Sequence, residues 1–426
     1  MHIRRIGRRL GWVALPAALS LTVAGCGSSG TGTGTGSGSR AASGDEAALG
    51  TPNPATGSPI TIGVISDGKS AQIDDTDEYK GAEAAAAYAN AYLGGISGHK
   101  IVVKLCQSLT DPATSTDCAN QMVTAKVSAV VEGTLAAVDQ TVSVLSAAKI
   151  PLAMNSASTQ LAMTSPHVYS LSNGLALFGA AAAQAKKLGV KKADLVVIGV
   201  PAAVGPARDV GAALFKKEGI DLTITALPPG TADMTPQISS AAAGHPELYH
   251  VFGSPSFCTP ALQAIKTVDP KAKVMAISQC LSDAGASTIP GGYAGIQVLS
   301  ASDLDPENPE TKLFDAVMAR YGDGGQASIH GAQGYSPMLG FIRALNAAKV
   351  SGTTPAAIDA AIKSAPPTLY PLGAGGAFQC NGKQMAIAPN VCSSTGIMAT
   401  AKADGTLSDY QLIPSDPELY SLPAAG

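Results

Sequence analysis

Residues 63–70 read GVISDGKS, a match to G-x-x-x-x-G-K-S, the loop whose backbone N–H groups and lysine cradle nucleotide phosphates. Its surroundings argue against that chemistry. In such a loop the first glycine sits at or beyond the end of a strand, whereas Gly63 falls inside the β-rich run ITIGVI (60–65). The helix that should begin at Lys69-Ser70 is delayed by AQIDDTDEY (71–79), whose acids would repel phosphate. Within that stretch Asp75, Asp77 and Glu78 could form a metal cage, but on a polar loop they read as a solvated acidic patch. The segment GSPSF (253–257) does not fit the nucleophile pattern G-x-S-x-G. No catalytic constellation emerges, so neither an enzyme nor a cofactor or metal requirement is expected.

Cysteine carries the next chemistry. The chain has seven. Cys26 closes Val23-Ala24-Gly25-Cys26, which resembles a bacterial lipobox, where small residues admit the signal peptidase and the sulfur takes the lipid. Upstream, Arg4, Arg5, Arg8 and Arg9 form a basic n-region, and Leu10 to Val23 an apolar stretch too short for a stable span. Arg8-Arg9 faintly suggests twin-arginine export, but the residues that follow suit a Sec-type lipoprotein better. Cys106, Cys118, Cys258, Cys280, Cys380 and Cys392 remain, and an even number in an exported chain implies disulfides. Zinc is the rival; it wants closely spaced cysteines or nearby histidines, and the six histidines are scattered. Local geometry selects three pairs. Cys106 ends a strand and Cys118 lies early in the next helix; Cys258 and Cys280 follow the ends of successive strands; Cys380 and Cys392 flank a short excursion.

The elements that must position these groups alternate. ITIGVI, KIVVKLC (100–106), VSAVVEG (127–133) and IPLAMN (150–155) read as strands, with helical segments between them. ADLVVIGV (193–200), LTITAL (222–227), LYHVFG (248–253) and KVMAIS (273–278) repeat the pattern, separated by Ala-rich helices near 205–217, 233–243 and 259–267. Short apolar strands alternating with helices give parallel sheets covered on both faces, an α/β architecture. The last fifty or so residues change character, with Gly-rich LGAGGAFQCNG (372–382) suggesting hairpins. Cleaving residues 1–25 would remove four arginines and move the formal net charge from −3 to −7, leaving no basic patch for nucleic acid. It would also remove Trp12, the only tryptophan. Residues 26–58, rich in Gly, Ser and Thr, read as a flexible tether with a reach of roughly 30 Å. What remains is too long for one ordinary core, so two lobes are expected.

KGAEAAAAYANAYLGGISGHKIVVKLC (80–106), followed by LTDPATSTDCANQMV (109–123), resembles the N-terminal lobe of type I solute-binding proteins. The group is the leucine/isoleucine/valine-binding family that serves ABC importers. The matching marks are Gly81, Asn90, Gly94-Gly95-Ile96, Gly98, Asp111-Pro112 and IPLAMNSAST (150–159), with GYSPMLGFIRALNAA (334–348) similar to a later lobe-one helix. The resemblance runs from about 60 to 415 and rests on order and spacing rather than on one motif. It implies two Rossmann-like lobes joined by three hinge crossovers, placed near 168–172, 296–302 and 370–376. Lobe 1 would then comprise 59–169 and 299–372, and lobe 2 would comprise 170–298 and 373–426 with the tail.

Open parallel sheets bind ligands beyond the carboxyl ends of their strands, so strand ends supply the candidates. In lobe 1 these are Ser66, Asp67, Thr134, Leu135, Ser156, Ala157 and Ser158. The Ser/Thr run 156–159 between strand and helix offers hydroxyls and free N–H groups suited to a carboxylate or carbonyl, or else an ordinary N-cap. In lobe 2 they are Ser254, Phe257, Ser278 and Gln279, Phe257 serving as pocket wall or as core. The family resemblance implies a carboxylate near 278–279 for an amino acid's ammonium; here stand Ser and Gln, with Asp283 the nearest acid downstream. His330 and Tyr335 could approach the cleft or be structural. Together these features point to a lipid-anchored, monomeric receptor at the outer face of a bacterial cytoplasmic membrane. It would capture a small polar ligand (amino acid, amide or short carboxylate) and deliver it to the transmembrane subunits of an ABC importer. A sensor that signals to a membrane partner, and a cell-envelope enzyme, are the alternatives.

Overall fold

Strand β1 (Gly57–Ser66) is buried along its last five residues, as a central parallel strand covered on both faces must be. In the computed structural model, which describes residues 46–70 and 73–421, it is an inner strand of a five-stranded sheet. Its partners are β2 (His99–Gln107), β3 (Ala129–Glu132), β4 (Leu152–Ser156) and β5 (Val168–Ser172), in the order β2-β1-β3-β4-β5, all parallel. The second sheet repeats that order with β6 (Lys192–Ile198), β7 (Asp221–Leu227), β8 (Leu248–Phe252), β9 (Lys273–Ile277) and β10 (Gln297–Ser300), running β7-β6-β8-β9-β10 in parallel. Residues Thr368–Leu369 (β11) and Ala377–Phe378 (β12) form a short antiparallel ribbon. Strands β13 (Gly396–Ala401) and β14 (Leu407–Ile413) then extend the second sheet beyond β10 as an antiparallel hairpin. The expected α/β class with hairpins near the end is what forms.

The residues that mark the N-terminal lobe do structural work. Asn90 clamps β2 through both ends of its carboxamide, donating to the Ile101 carbonyl at 2.8 Å and accepting from the Ile101 N–H at 2.7 Å. Gly94 and Gly95 turn the chain with φ of 71° and 67°, a region costly for other residues. Helix Thr76–Tyr92 lies against Ile329–Ala347 so closely that a Cβ on Gly334 would fall 1.9 Å from the Glu78 carbonyl oxygen. Lys69 belongs to no phosphate loop: Gly63 is within β1, and the exposed Lys69 ammonium pairs with Asp74 at 2.6 Å. All three expected disulfides form: Cys106–Cys118, Cys258–Cys280 and Cys380–Cys392. No described helix is long and apolar enough to cross a membrane.

The chain passes between the sheets three times. The first two passages follow β5 and β10 directly, near the expected places. The third falls at Ser393–Thr395, not at 370–376. Tyr370 and Leu372 instead pack in the first lobe, and Val391 pairs in parallel with Ser170, so residues 373–392 extend lobe 1. Glycine richness there marks the turn of the β11–β12 ribbon and not a hinge. The tether also ends earlier than composition suggests. Glu46–Leu49 form a 3-10 turn, Leu49 is 2% exposed in the lobe 1 core, and Ala55 N–H donates to the Asn90 carbonyl. One buried leucine holds a stretch whose composition reads as linker. Cys26, the signal segment and the tether up to residue 45 lie outside the described residues.

Candidate ligand-binding cleft

The carboxyl ends of the two sheets face a common cavity of about 240 Å³. Lobe 1 contributes Thr134 beyond β3, Asn155 and Ser156 at the end of β4, and Ser172 at the end of β5. Lobe 2 contributes Ser278 and Gln279 beyond β9, and Ser300 at the end of β10. The passages complete the wall with Asn173, Ser393 and Thr395, and helix Ile329–Ala347 adds Gln333. Among the described residues, every polar side chain on this wall is uncharged. Leu171, Leu177, Leu299 and Ile397 supply apolar surface between the polar groups.

Several of these groups are already held. The Tyr370 hydroxyl donates to Asn155 Oδ1 at 2.6 Å, fixing the carboxamide so that its NH₂ is left for a ligand. Ser172 Oγ donates to the Asn155 carbonyl at 2.7 Å, and Asn173 Nδ2 donates to the Ser394 carbonyl and the Tyr420 hydroxyl. Ser393 and Thr395 share a hydrogen bond of 2.8 Å. Helix Ala176–Lys187 opens on the cavity with Ala176 and Leu177, so the positive end of its dipole faces any ligand oxygen.

Of the strand-end candidates, Thr134, Ser156, Ser278 and Gln279 line this cavity. The others do not. Asp67 is 4% exposed and spent on the fold: its carboxylate accepts from Ser108 Oγ at 2.5 Å, Thr110 N–H at 3.2 Å and Ala136 N–H at 2.8 Å. Ser66 donates to Glu78 Oε1 at 2.9 Å from a buried position. Leu135, Ala157 and Phe257 are core residues, and the Ala157 N–H is taken by Ser170 Oγ. Ser158 and Ser254 are exposed outside the cavity wall; the cap of the short helix Gln160–Thr164 is Thr159. Asp283 is exposed at the start of Asp283–Thr288, also off the wall. Tyr335 is fully buried against Phe314, and His330 lies 3.7 Å from Asp75. Gln333, three residues further on than His330, is the member of that helix that reaches the cavity.

The acidic stretch also differs from its reading as a solvated patch. Glu78, in the first turn of Thr76–Tyr92, is 2% exposed; its Oε2 accepts from Thr134 N–H at 2.8 Å, directly behind the cavity wall. Burial pushes its carboxyl up to about 8, against the opposing hydrogen bonds from Thr134 and Ser66. Glu132, at the end of β3, is 1% exposed with neither oxygen hydrogen-bonded. Burial pushes it up to about 8 as well, with Glu78 and Asp67 adding to the rise. Near neutral pH both carboxyls are therefore mostly protonated. Among the described residues no group of three or more His, Cys, Asp or Glu is arranged to hold a metal ion.

The cavity-lining residues missed from sequence (Ser172, Asn173, Gln333, Tyr370 and the 393–395 turn) lie mainly on or near the passages and on helix Ile329–Ala347.

Comparison with known proteins agrees with this architecture. A family model described as periplasmic binding protein matches residues 59–389. No curated protein sequence matches the chain. Among solved structures, an ABC transporter substrate-binding protein from Sphaerobacter thermophilus is 19% identical with a TM-score of 0.66, covering 84% of this chain and 97% of its own. LivJ, a branched-chain amino acid transporter substrate-binding protein from Streptococcus pneumoniae solved with isoleucine, is also 19% identical, with a TM-score of 0.61 over 83% and 99%. A solute-binding protein of an ABC transporter from Rhodopseudomonas palustris, in complex with p-hydroxybenzoic acid, is 17% identical with a TM-score of 0.61 over 84% and 96%. With the matched region covering well over half of its residues, the chain belongs to the periplasmic binding protein family, whose members bind solutes and are not enzymes.

Proposed function

We propose that this protein is a lipid-anchored, extracytoplasmic receptor that captures a small polar solute and presents it to the membrane subunits of an ABC importer. The observation that carries the reading is the shared cavity, walled by Thr134, Asn155 and Ser156 from one sheet and by Ser278, Gln279 and Ser300 from the other. A ligand bonded to both walls stabilises the arrangement in which the lobes are closed upon it, and a permease can read that arrangement. The passages after β5, after β10 and at Ser393–Thr395 are the hinge elements. The solved neighbours are named as transporter binding proteins, and two of them hold small organic molecules, isoleucine and p-hydroxybenzoic acid.

Anchoring rests on the sequence Val23-Ala24-Gly25-Cys26. Expression of the full chain and of Cys26→Ala in a bacterial host fed labelled palmitate tests it. Label on the wild type that vanishes from the variant supports a lipid anchor; equal or absent label in both removes it. Small-angle scattering tests capture: a bound solute should shrink the radius of gyration of the monomeric chain.

A further inference from the structure

The cavity wall carries no charged side chain among the described residues. Its polar groups are hydroxyls and carboxamides from both lobes, its large apolar side chains are Leu171, Leu177, Leu299 and Ile397, and it presents neither a carboxylate nor a basic side chain. We propose, resting on the receptor reading, that this cleft takes an uncharged ligand: a carboxamide- or hydroxyl-bearing molecule with an apolar tail, not a zwitterionic amino acid.

An ammonium group taken from water into a cavity with no anion loses several kcal/mol of hydration that neutral hydrogen bonds do not restore. The available acids do not supply the anion. Asp67 faces away into three internal hydrogen bonds, and Asp283 lies outside the wall. Glu78 stands directly behind Thr134, but both its oxygens are engaged by Ser66 and the Thr134 N–H, and burial keeps its proton near neutral pH. An anionic end fares only somewhat better. The N-terminus of helix Ala176–Lys187 favours an oxygen, but a helix dipole contributes far less than an opposed basic side chain; the N–H groups of Leu175, Ala176 and Phe178 are already spent on Asn173 and Leu175, and a carbonyl oxygen gains from the same dipole without carrying a net charge. The fixed Asn155 NH₂ is a donor for that oxygen, and the carboxamides of Gln279 and Gln333 offer both donors and acceptors to an amide or hydroxyl.

The test uses one carbon skeleton with four charge states: 4-methylpentanamide (neutral), 4-methylpentanoate (anion), leucine (zwitterion) and 4-methylpentan-1-amine (cation). Each is titrated calorimetrically into the full chain and into Gln279→Glu near neutral pH. The proposal expects the amide to bind tightest, with leucine and the amine weaker by roughly a hundred-fold. In Gln279→Glu the gap between amine and amide should close by about ten-fold or more, because the new carboxylate faces the ammonium. Leucine, the amine or the carboxylate binding wild type as tightly as the amide overturns the inference and leaves the receptor reading intact. Failure of all four to bind at millimolar concentration counts against the receptor reading for solutes of this size, and the inference falls with it.

Discussion

Glu132→Gln should flatten the dependence of stability on pH. In the folded chain Glu132 is wholly buried, without a hydrogen-bond partner, and its carboxyl is pushed up to about 8 from an ordinary 4.5. The unfolded chain releases that proton near the ordinary value, while the native state keeps it. Across this window the native state binds more protons than the unfolded state, so stability falls as pH rises, and the part lost is present in full only at acid pH. The slope is about 1.4 kcal/mol per pH unit for each such proton. Glu78 adds a second proton over the same window, since burial raises it to about 8 too. Wild type should therefore lose roughly 2–3 kcal/mol per pH unit from this pair before other groups are counted. Glutamine carries no proton to lose, so the variant should show about half that slope. Its stability at any one pH is a poorer guide, because the buried amide leaves donors unmet at a cost of about 1–3 kcal/mol. The assay is urea unfolding followed by circular dichroism at a series of pH values, with the disulfides kept oxidised. Parallel stability profiles for wild type and variant would refute the reasoning, since they would mean that Glu132 is ionised or solvated in the native chain.

Three further outcomes are expected. Non-reducing peptide mapping should recover Cys106–Cys118, Cys258–Cys280 and Cys380–Cys392; loops of this size make each bridge worth about 3 kcal/mol, so a Cys258→Ser, Cys280→Ser pair should lower the thermal midpoint by several degrees. Lys69→Ala should leave stability and ligand affinity unchanged in thermal-shift and calorimetric measurements, because its pair with Asp74 is exposed on both sides; magnesium-dependent ATP binding lost in this variant would contradict the assignment. Tyr370→Phe should free the Asn155 carboxamide and cost about 1 kcal/mol in unfolding experiments, together with a several-fold weaker ligand affinity by calorimetry.

The fold was legible because its signals are local. Each βα unit carries its own apolar strand and its own helix start, and one of them its own disulfide, Cys106–Cys118, so the α/β class followed once the alternation was recognised. The cavity wall was legible only where a strand end points straight at it, as at Thr134, Ser156, Ser278 and Gln279. Asp67 and Ser158 show why the rest was not. A strand-end carboxylate can serve a ligand or tie loops together, and three donors from residues 108–136 decide for the second role at Asp67. The Ser/Thr run at 156–159 places Ser156 on the wall, turns Ser158 out to solvent and uses Thr159 as a cap, a division fixed by backbone direction that composition does not carry. Tyr370 and Gln333 arrive from residues distant in sequence, and long-range packing alone brings them to Asn155 and the cavity.

The central claim is that one solute is held by both lobes at once. Calorimetric titration of the tightest-binding member of the charge series into wild type, Thr134→Val and Ser278→Ala tests it most directly, one substitution lying on each wall. Wild type should show a single site per chain, and each variant an affinity lower by roughly three- to ten-fold, the worth of one neutral hydrogen bond. Unchanged affinity in both variants, or loss from one wall alone, would contradict capture between the lobes.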